Sequence, residues 1–247
     1  MPLHRASCAP LRTRTANQVC TRTADDDVGA RLTYAPDGRL LEEVKAARTM
    51  GTTVTVADIF KPLPVRHREF MKNLKTQLSK LTCLLQAYAI ISSGVRITCS
   101  DSTDGKRHTV LTCAGGTTMK ERAGSVFGPK FLRSLEPLEI DLGEDVGKLT
   151  GFISKTGEGV GRSTSDRQFM FINGRPVDMS RITKAVNEVW RQFEMKKKPA
   201  FLLDFRLTHC TYDINVTPDK REVFLTNEVR SRSRAGGATN TRGWRLL

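Results

Sequence analysis

The chain has 247 residues, with 40 Lys and Arg against 26 Asp and Glu, and therefore a formal net charge of +14. This excess of positive charge favours an anionic partner such as nucleic acid, a nucleotide or a membrane surface. No apolar run approaches the roughly 20 residues that a membrane-spanning helix needs, and the six cysteines are spaced neither as a zinc site nor as a disulfide framework.

The first segment, MPLHRASCAPLRTRTANQVC, contains several arginines and no acidic residue. This composition is compatible with a mitochondrial transit peptide, but Pro2 and Pro10 interrupt any amphipathic helix. We therefore predict a disordered leader over residues 1–23.

Three strands are predicted next. Residues 31–34 and 40–44 flank the turn signal Pro36-Asp37-Gly38 and predict a hairpin. Residues 52–56 are β-branched at nearly every position and predict a third strand. These strands have the pattern of the end of a larger sheet.

A helix is predicted over residues 70–88, where apolar residues recur at steps of three and four, and Gly94 ends it. Its predicted apolar face consists of Phe70, Leu74, Leu78, Leu81, Leu85 and Tyr88. Residues 95–100 and 108–113 predict strands around a polar loop, and residues 117–135 predict one or two short helices interrupted at 128–129. The cysteines in these patterns are predicted to be small core residues: Cys83, Cys99 and Cys113.

The remaining segments alternate between strands and a helix. Residues 149–154, 168–172 and 201–207 predict strands, and Asn173-Gly174 predicts a turn. A helix over 179–195, capped by Asp178 or Ser180, precedes the last strand; its predicted buried stripe is Ile182, Val186, Val189 and Phe193. This order indicates an α/β layer. Residues 227–247 predict a disordered basic tail.

The stretch DINVTPDKREV at residues 213–223 interrupts the apolar pattern near the C-terminal end. Pro218 supplies no backbone donor to a sheet and pushes Lys220 into a loop. A lysine in such a loop is either a phosphate ligand, because its ammonium is a compact charge with three donors, or a solvated surface residue.

Three stretches resemble, in order, the N-terminal half of MutL-type DNA mismatch-repair proteins, especially the Pms-type eukaryotic members. The first is GTTV at 51–54 with DIF at 58–60 and LPVRHREF at 63–70. The second runs from GRS at 161–163 through DRQFMFINGRP at 166–176. The third is DINVTPDKREV. Three long motifs in register make the resemblance specific.

The resemblance implies an α/β (α+β) fold in two parts. A C-terminal remnant of a GHKL ATPase sandwich with a connecting helix would occupy residues 24–92, and a ribosomal-protein-like α/β transducer domain would occupy residues 93–226. It also implies a nuclear mismatch-repair protein that links ATP to conformational coupling and binds DNA. The implied partners are a second MutL homologue as heterodimer partner and a MutS-type mismatch sensor, with no membrane.

The resemblance also assigns roles to residues. Gly51, Thr52 and Thr53 match the motif that completes the adenine side of the nucleotide pocket, and Lys220 matches the catalytic lysine that reaches the terminal phosphate. Arg175 matches the arginine of an Asn-Gly-Arg turn that faces the DNA backbone. Three further arginines would extend that DNA-binding patch or form surface ion pairs: Arg162, Arg167 and Arg181. No metal ligand is assigned.

The chain also departs from the family, because it contains neither Asp-Asn-Gly-x-Gly nor Gly-Phe-Arg-Gly-Glu. The family's catalytic Asn/Glu helix, adenine loop and phosphate lid are therefore missing. We expect an N-terminally truncated piece that is inactive alone as an ATPase and does not stably bind the family's ATP and Mg²⁺. The alternatives are a truncated, non-catalytic interaction module and a transducer piece of another GHKL ATPase such as a type II topoisomerase.

Overall fold

The structure is a computed structural model of the chain, and it describes residues 17–143, 146–157, 161–208, 212–213, 221 and 223–225. The chain forms two compact units, Met1–Gln77 and Leu78–Leu247. Lys220, residues 1–16 and the predicted tail at 227–247 lie outside the described residues. No helix in the described part is long and apolar enough to cross a membrane.

The first unit contains a four-stranded antiparallel sheet. Its strands are β1 (Asn17–Arg22), β2 (Gly29–Tyr34), β3 (Leu40–Ala46) and β4 (Gly51–Thr55), in the order β3-β2-β1-β4. β2 and β3 form the hairpin that the Pro-Asp-Gly turn predicts, with a positive φ of 87° at Gly38. The predicted third strand is also confirmed, and it pairs with β1.

The prediction of a disordered leader over residues 1–23 is wrong for residues 17–22, because these residues form β1, an interior strand of the sheet. Val19 pairs with Leu32 on one side and with Val54 on the other. The segment NQVCTR has few apolar residues, so its own pattern gives little strand signal. Backbone hydrogen bonds to two flanking strands fix it instead.

The two outer strands of this sheet expose apolar side chains. On β3, Leu40 and Leu41 are 50% and 55% exposed, and on β4 Val54 is 63% exposed. Edge strands with exposed apolar residues are surfaces on which another chain can pair or pack. The first unit therefore exposes apolar side chains along both of its edge strands, β3 and β4.

Two helices, α1 (Pro64–Lys72) and α2 (Leu74–Ile91), replace the single helix predicted for residues 70–88. Pro64 lies in the first turn of α1, where a missing N–H costs nothing, and the helix ends at Asn73. The predicted apolar face is wrong as a continuous buried stripe, because several of its members are exposed: Leu74, Leu81 and Tyr88. The residues that α2 buries are instead near its end: Ala87, Ala89 and Ile90.

The second unit begins within α2 and continues with the predicted hairpin, β5 (Ile97–Thr103) and β6 (Lys106–Cys113), followed by α3 (Met119–Phe127) and α4 (Pro129–Arg133). Its main sheet is formed by β7 (Leu135–Asp141), β8 (Gly147–Ser154), β9 (Gln168–Ile172), β10 (Arg175–Val177) and β11 (Phe201–Leu207), and α5 (Ser180–Arg191) precedes β11. Two short strands, β12 (Tyr212–Asp213) and β13 (Phe224–Leu225), pair with each other.

The five-stranded sheet has the order β10-β9-β11-β8-β7, so β11 is central. It runs antiparallel to β8 and parallel to β9. Successive side chains of a strand point to opposite faces: Phe201 and Leu203 pack with Val186 of α5, whereas Leu202 packs with Ile90 of α2. Helices thus cover both faces of the sheet, which confirms the predicted α/β fold.

Helix α5 differs from its prediction at both ends. Its N-cap residue is Met179, without a side-chain cap, so neither Asp178 nor Ser180 caps it. The helix ends at Arg191, and Phe193 is consequently half exposed rather than part of the buried stripe. The large side chain that α5 buries toward its end is Trp190, which the predicted stripe omits.

The N-terminus of α3 has a capping box. The hydroxyl of Thr118 accepts a hydrogen bond from the backbone N–H of Glu121, and the carboxylate of Glu121 accepts from the N–H of Thr118. The predicted interruption after α3 is confirmed at Gly128. The core prediction for the cysteines is confirmed for Cys113 and wrong for Cys83, which is exposed on α2.

Candidate nucleic-acid interface

The Asn-Gly-Arg turn joins β9 to β10. Asn173 and Gly174 both have positive φ values, 48° and 79°, which is the backbone of a two-residue type I′ hairpin. Arg175 is the first residue of β10, where it pairs with Ile172 of β9 and is partly buried. The turn therefore sets the direction in which the chain presents Arg175.

The side chain of Asn173 ties this turn to the end of β11. Its amide donates to the carbonyl oxygen of Leu207 at 2.9 Å, and its oxygen accepts from the N–H of Leu207 at 3.0 Å. The same amide also donates to the hydroxyl of Tyr212 at 2.8 Å, and the backbone N–H of Asn173 donates to the carbonyl of Phe205 at 2.9 Å. Asn173 thus adopts the left-handed conformation, and its side chain forms with the backbone of Leu207 the pair of hydrogen bonds that a neighbouring strand would form.

Asp204 on β11 holds the turn from the other side. Its carboxylate is 1% exposed, accepts from the N–H of Gly174 at 3.2 Å, and pairs with Nε of Arg206 at 2.6 Å. A buried carboxylate is tolerated when it is paired and hydrogen-bonded. Sequence reasoning missed Asp204, and the signal was a lone acidic residue in the apolar run Phe201–Leu207.

Two further arginines are associated with the segment after the turn, Arg181 by sequence and Arg221 by its contact with Asp178. Arg181 is exposed in the first turn of α5. Arg221, from the stretch DINVTPDKREV, pairs with Asp178 at 2.7 Å, and the backbone N–H of Asp178 donates to the carbonyl of Arg221. Arg221 is therefore held beside the start of α5.

Arg162 forms a bidentate ion pair with Asp166. The two bonds, from Nε and Nη2, measure 2.8 and 2.7 Å, and the hydroxyl of Thr164 adds a third bond to the same carboxylate. The bond to Asp166 raises the pKa of Arg162. Burial opposes ionisation of Asp166, but its bonds from Arg162 and Thr164 prevail and lower its pKa.

Arg167 packs against two neighbouring phenyl rings. Its guanidinium carbon lies 4.6 Å from the ring centre of Phe127 and 4.8 Å from that of Phe131. The two ring centres are 4.9 Å apart, so both rings lie on the same side of the guanidinium. Burial lowers the pKa of Arg167, and the charge of Arg162 lowers it further. Arg167 therefore makes cation–π contacts with this pair of rings.

The chain resembles proteins of DNA mismatch repair along most of its length. Residues 123–234 match the family model described as DNA mismatch repair protein, C-terminal domain. The DNA mismatch repair protein PMS1 of Arabidopsis thaliana is 45% identical over 211 residues, which are 85% of this chain and 23% of that protein. The mismatch repair endonuclease PMS2 of Gallus gallus is 42% identical over 218 residues, 81% of this chain and 25% of that protein.

A solved structure, the N-terminal domain of a DNA repair protein, matches with a TM-score of 0.79 and 35% identity, covering 87% of this chain and 67% of that one. The chain belongs to the MutL family of DNA mismatch-repair proteins. The Aquifex aeolicus MutL ATPase domain complexed with ADP has the same fold, with a TM-score of 0.57 at 22% identity, covering 78% of this chain and 68% of that one. This MutL-family chain spans about a quarter of the length of the curated relatives that it matches.

The predicted nucleotide-binding residues of this MutL-family chain lie on β4, in the first unit. Gly51 has a φ of 132°, and the hydroxyl of Thr52 is 2.8 Å from that of Thr21 on β1. Thr52 and Thr53 are exposed residues that are neighbours on a strand, so their side chains point to opposite faces of the sheet. Glycine permits close approach of a ligand and hydroxyls can form hydrogen bonds, which is the chemistry that the predicted nucleotide contact requires.

The described residues contain no cluster of metal ligands. Among them, no group of three or more His, Cys, Asp or Glu side chains is placed to hold a metal ion. Mg²⁺ in proteins is bound by one or two carboxylates together with waters and substrate phosphates, so a site of that kind does not require such a cluster.

Proposed function

We propose that this chain contributes duplex DNA binding to a MutL-type mismatch-repair protein, through the turn that presents Arg175. The observation that supports this proposal is the fixation of the turn by Asn173 and Asp204. A guanidinium held on a rigid turn loses little conformational freedom when it binds phosphate. Contacts of this kind add affinity without sequence information, as a mismatch-repair protein that acts at any sequence requires.

The exposed Arg181 adjoins the same end of the second unit. It supplies a second cation for the DNA backbone in this proposal. Arg162 and Arg167 contribute less directly, because Arg162 is paired with Asp166 and Arg167 is partly buried against two phenyl rings. The net charge of +14 supports a polyanionic partner for the chain as a whole.

The test is a fluorescence-anisotropy titration of labelled duplex DNA at several salt concentrations. Replacing Arg175 by Ala is expected to weaken binding and to lower the slope of log affinity against log salt by about 0.9, the value for one phosphate contact. The matched control is Lys106→Ala. Lys106 follows the turn Asp104-Gly105, whose φ values of 52° and 75° are close to those of Asn173 and Gly174, so both cations follow the same type of turn.

The proposal fails if wild-type protein does not bind duplex DNA, or if its binding is independent of salt. It also fails if Arg175→Ala and Lys106→Ala have equal effects, because the contact would then not depend on this turn.

We further propose that ATP with Mg²⁺ is the nucleotide of the complete protein, with Gly51, Thr52 and Thr53 on the adenine side and Lys220 as the catalytic residue at the terminal phosphate. The motif matches support these assignments. Titration of this chain with a fluorescent ATP analogue is expected to give at most weak binding, and tight binding would contradict it. Replacing the matching lysine by Ala in a complete homologue should reduce nucleotide turnover, and unchanged turnover would remove Lys220 from the proposal.

A second MutL homologue and a MutS-type mismatch sensor are the proposed protein partners, and the nucleus is the proposed location. Family membership supports both. Co-purification of the tagged chain with each candidate partner tests the first assignment, and the distribution of the tagged chain between nucleus and cytoplasm tests the second.

A second candidate function is that of an interaction module that does not bind DNA. The exposed apolar residues of β3 and β4 favour it: Leu40, Leu41, Val44 and Val54. Size-exclusion chromatography with light scattering, run alongside the DNA titration, separates the two functions. Self-association without DNA binding would favour the interaction module.

A further inference from the structure

A basic groove lies at the C-terminal end of α5, away from the Asn-Gly-Arg turn. Its volume is about 480 Å³. Five cationic residues line it together with three others: Lys184, Arg191, Lys196, Lys197 and Lys198, with Asn187, Glu188 and Met195. Four of the five cationic residues are exposed, and Lys197 is half-buried.

The charge of this groove exceeds what helix capping requires. The five cations face Glu188 in the lining and Glu194 in the adjoining loop, which leaves a net charge of +3. The C-terminus of a helix carries only about half a negative charge, and its effect fades within the last turn. The segment Lys196–Lys198 lies beyond the end of α5 at Arg191, so its positive charge exceeds what the helix terminus compensates.

The backbone of the groove is fixed. Arg162 and Lys198 form an antiparallel bridge, with reciprocal N–H to carbonyl distances of 2.8 and 2.7 Å. On the helix side, the amide of Asn187 donates to the carbonyl of Thr183 at 2.7 Å, and its oxygen accepts from Gln168 at 3.0 Å. The backbone bridge on one side and helix α5 on the other thus hold the walls of the groove.

The same bridge connects the groove to a second cationic depression. That depression, also about 480 Å³, contains Arg162, Arg167 and Lys130 among its lining residues. Gly161 lies at the junction: a side chain there would meet Lys197 and Trp190. Cationic side chains therefore extend from α4 across the bridge to the end of α5, with Arg162 at the bridge paired with Asp166.

This surface is separated from the Asn-Gly-Arg turn by the length of the sheet. Gln168, next to Arg167, begins β9, whereas Asn173 follows its end, and five residues of strand span roughly 16 Å. Similarly, α5 runs 12 residues from Ser180 beside the turn to Arg191 in the groove, about 18 Å. Such a separation corresponds to about five base pairs along a duplex at 3.4 Å each.

We propose that this groove is a second binding site for the phosphate backbone of duplex DNA, in addition to the turn at Arg175. This inference rests on the proposed function, because it assigns another contact to the same partner. Lysine ammonium groups bind phosphate as point charges and read no sequence. The lining includes no aromatic ring on which an unpaired base would stack, so the duplex backbone is the ligand that the groove fits.

The experiment compares two triple variants of the full chain that remove equal charge. The first is Lys196→Gln, Lys197→Gln and Lys198→Gln, in the groove. The second is Lys72→Gln, Lys75→Gln and Lys80→Gln, on exposed positions of α1 and α2. Loss of three phosphate contacts is expected to lower the slope of log affinity against log salt by about 2.7. The ratio of wild-type affinity to groove-variant affinity should therefore fall about fortyfold between about 50 and 200 mM salt.

Three outcomes separate this proposal from the function on which it rests. A slope change in the groove variant and not in its control supports a second site. Equal changes in both triple variants indicate a net-charge effect and overturn it. An unchanged groove variant with a weakened Arg175→Ala variant overturns the second site and leaves the proposed function standing.

A footprint on the unmodified chain provides an independent measurement. Lysine acetylation, read by mass spectrometry, is expected to be suppressed at Lys196–Lys198 by duplex DNA and unchanged at Lys72. Equal acetylation with and without DNA overturns the proposal. Protection by polyglutamate with none by duplex DNA also overturns it, in favour of an acidic protein partner.

Discussion

The buried carboxylate of Asp204 accepts a hydrogen bond from the backbone N–H of Gly174, at 3.2 Å. The central strand of the sheet therefore supports the turn from which Arg175 extends. The second oxygen of Asp204 pairs with Arg206, so a single side chain connects the interior of the sheet with the proposed DNA contact.

Replacing Asp204 by Ala is expected to lower the free energy of unfolding by about 1–3 kcal/mol, because hydrogen bonds to charged groups contribute about that much. Asp204→Asn keeps an acceptor for Gly174 and should lose less. Urea unfolding measures both. The control is Glu139→Ala, an exposed carboxylate 3.8 Å from Lys148, which should change stability by less than about 0.5 kcal/mol. Equal losses for Asp204→Ala and Glu139→Ala would contradict the role of Asp204.

Asn173 allows the backbone and side-chain contributions of the turn to be measured separately. Asn173→Gly and Asn173→Ala both remove the side-chain bonds to Leu207 and Tyr212. Only Ala meets a penalty at a φ of 48°, so it should be less stable than Gly by about 1–2 kcal/mol. Thermal or urea unfolding of the pair gives this difference. Equal stability of the two variants would mean that the turn relaxes to another conformation.

Arg167 is expected to stabilise the second unit rather than to bind DNA. Arg167→Lys keeps the charge but loses the planar guanidinium that packs against Phe127 and Phe131. It should lower the free energy of unfolding by about 1–2 kcal/mol, while Arg133→Lys, at an exposed position on α4, should have little effect. If Arg167→Lys is as stable as wild type and Arg167→Ala lowers the salt slope of DNA binding, Arg167 acts through its charge instead.

Glu121 predicts a pH dependence of stability. Its bond from the backbone N–H of Thr118 is the largest cause that lowers its pKa below the ordinary value of 4.5. A carboxyl whose pKa is lower in the folded state contributes stability above 4.5, which is lost as the pH falls through the folded pKa. Glu121→Gln keeps the capping acceptor without titrating.

The stability advantage of wild type over Glu121→Gln should therefore be present at neutral pH and shrink in acid below that ordinary value. Urea unfolding at a series of pH values measures it. A Thr118→Ala background removes the hydroxyl that accepts from Glu121 but keeps the backbone N–H that bonds the carboxylate, so most of the acid dependence of the difference should remain. A difference that stays constant with pH would contradict the assignment.

Local signals predicted the elements that depend on few residues. The Pro-Asp-Gly and Asn-Gly turns, the β-branched run of β4 and the apolar run of β11 all matched the structure. Elements fixed by distant partners were missed. β1 has a weak pattern of its own and forms because strands pair on both sides. Helix α5 ends at Arg191, before the predicted end at residue 195.

The family motifs predicted which residues belong to the candidate site, but they did not predict the interactions that hold those residues in place. The family resemblance pointed to Arg175, yet a motif does not reveal that Arg167 faces two phenyl rings or that Arg162 is paired. Buried charges are the least predictable features. Asp204 and Arg122 both occupy apolar surroundings, and Arg122 is satisfied by carbonyl oxygens such as that of Ile90. Their partners are distant in sequence, so no local pattern identifies them.

The position of β11 at the centre of its sheet has a consequence for synthesis. It is the last of the five strands in the chain, yet Phe201 pairs with Ile153 on one side and Gln168 on the other. A ribosome must therefore release residues through Leu207 before the two halves of the sheet can join. Until then β8 and β9 each have an unpaired edge, so the nascent chain is most exposed to aggregation and to chaperone binding just before this strand emerges.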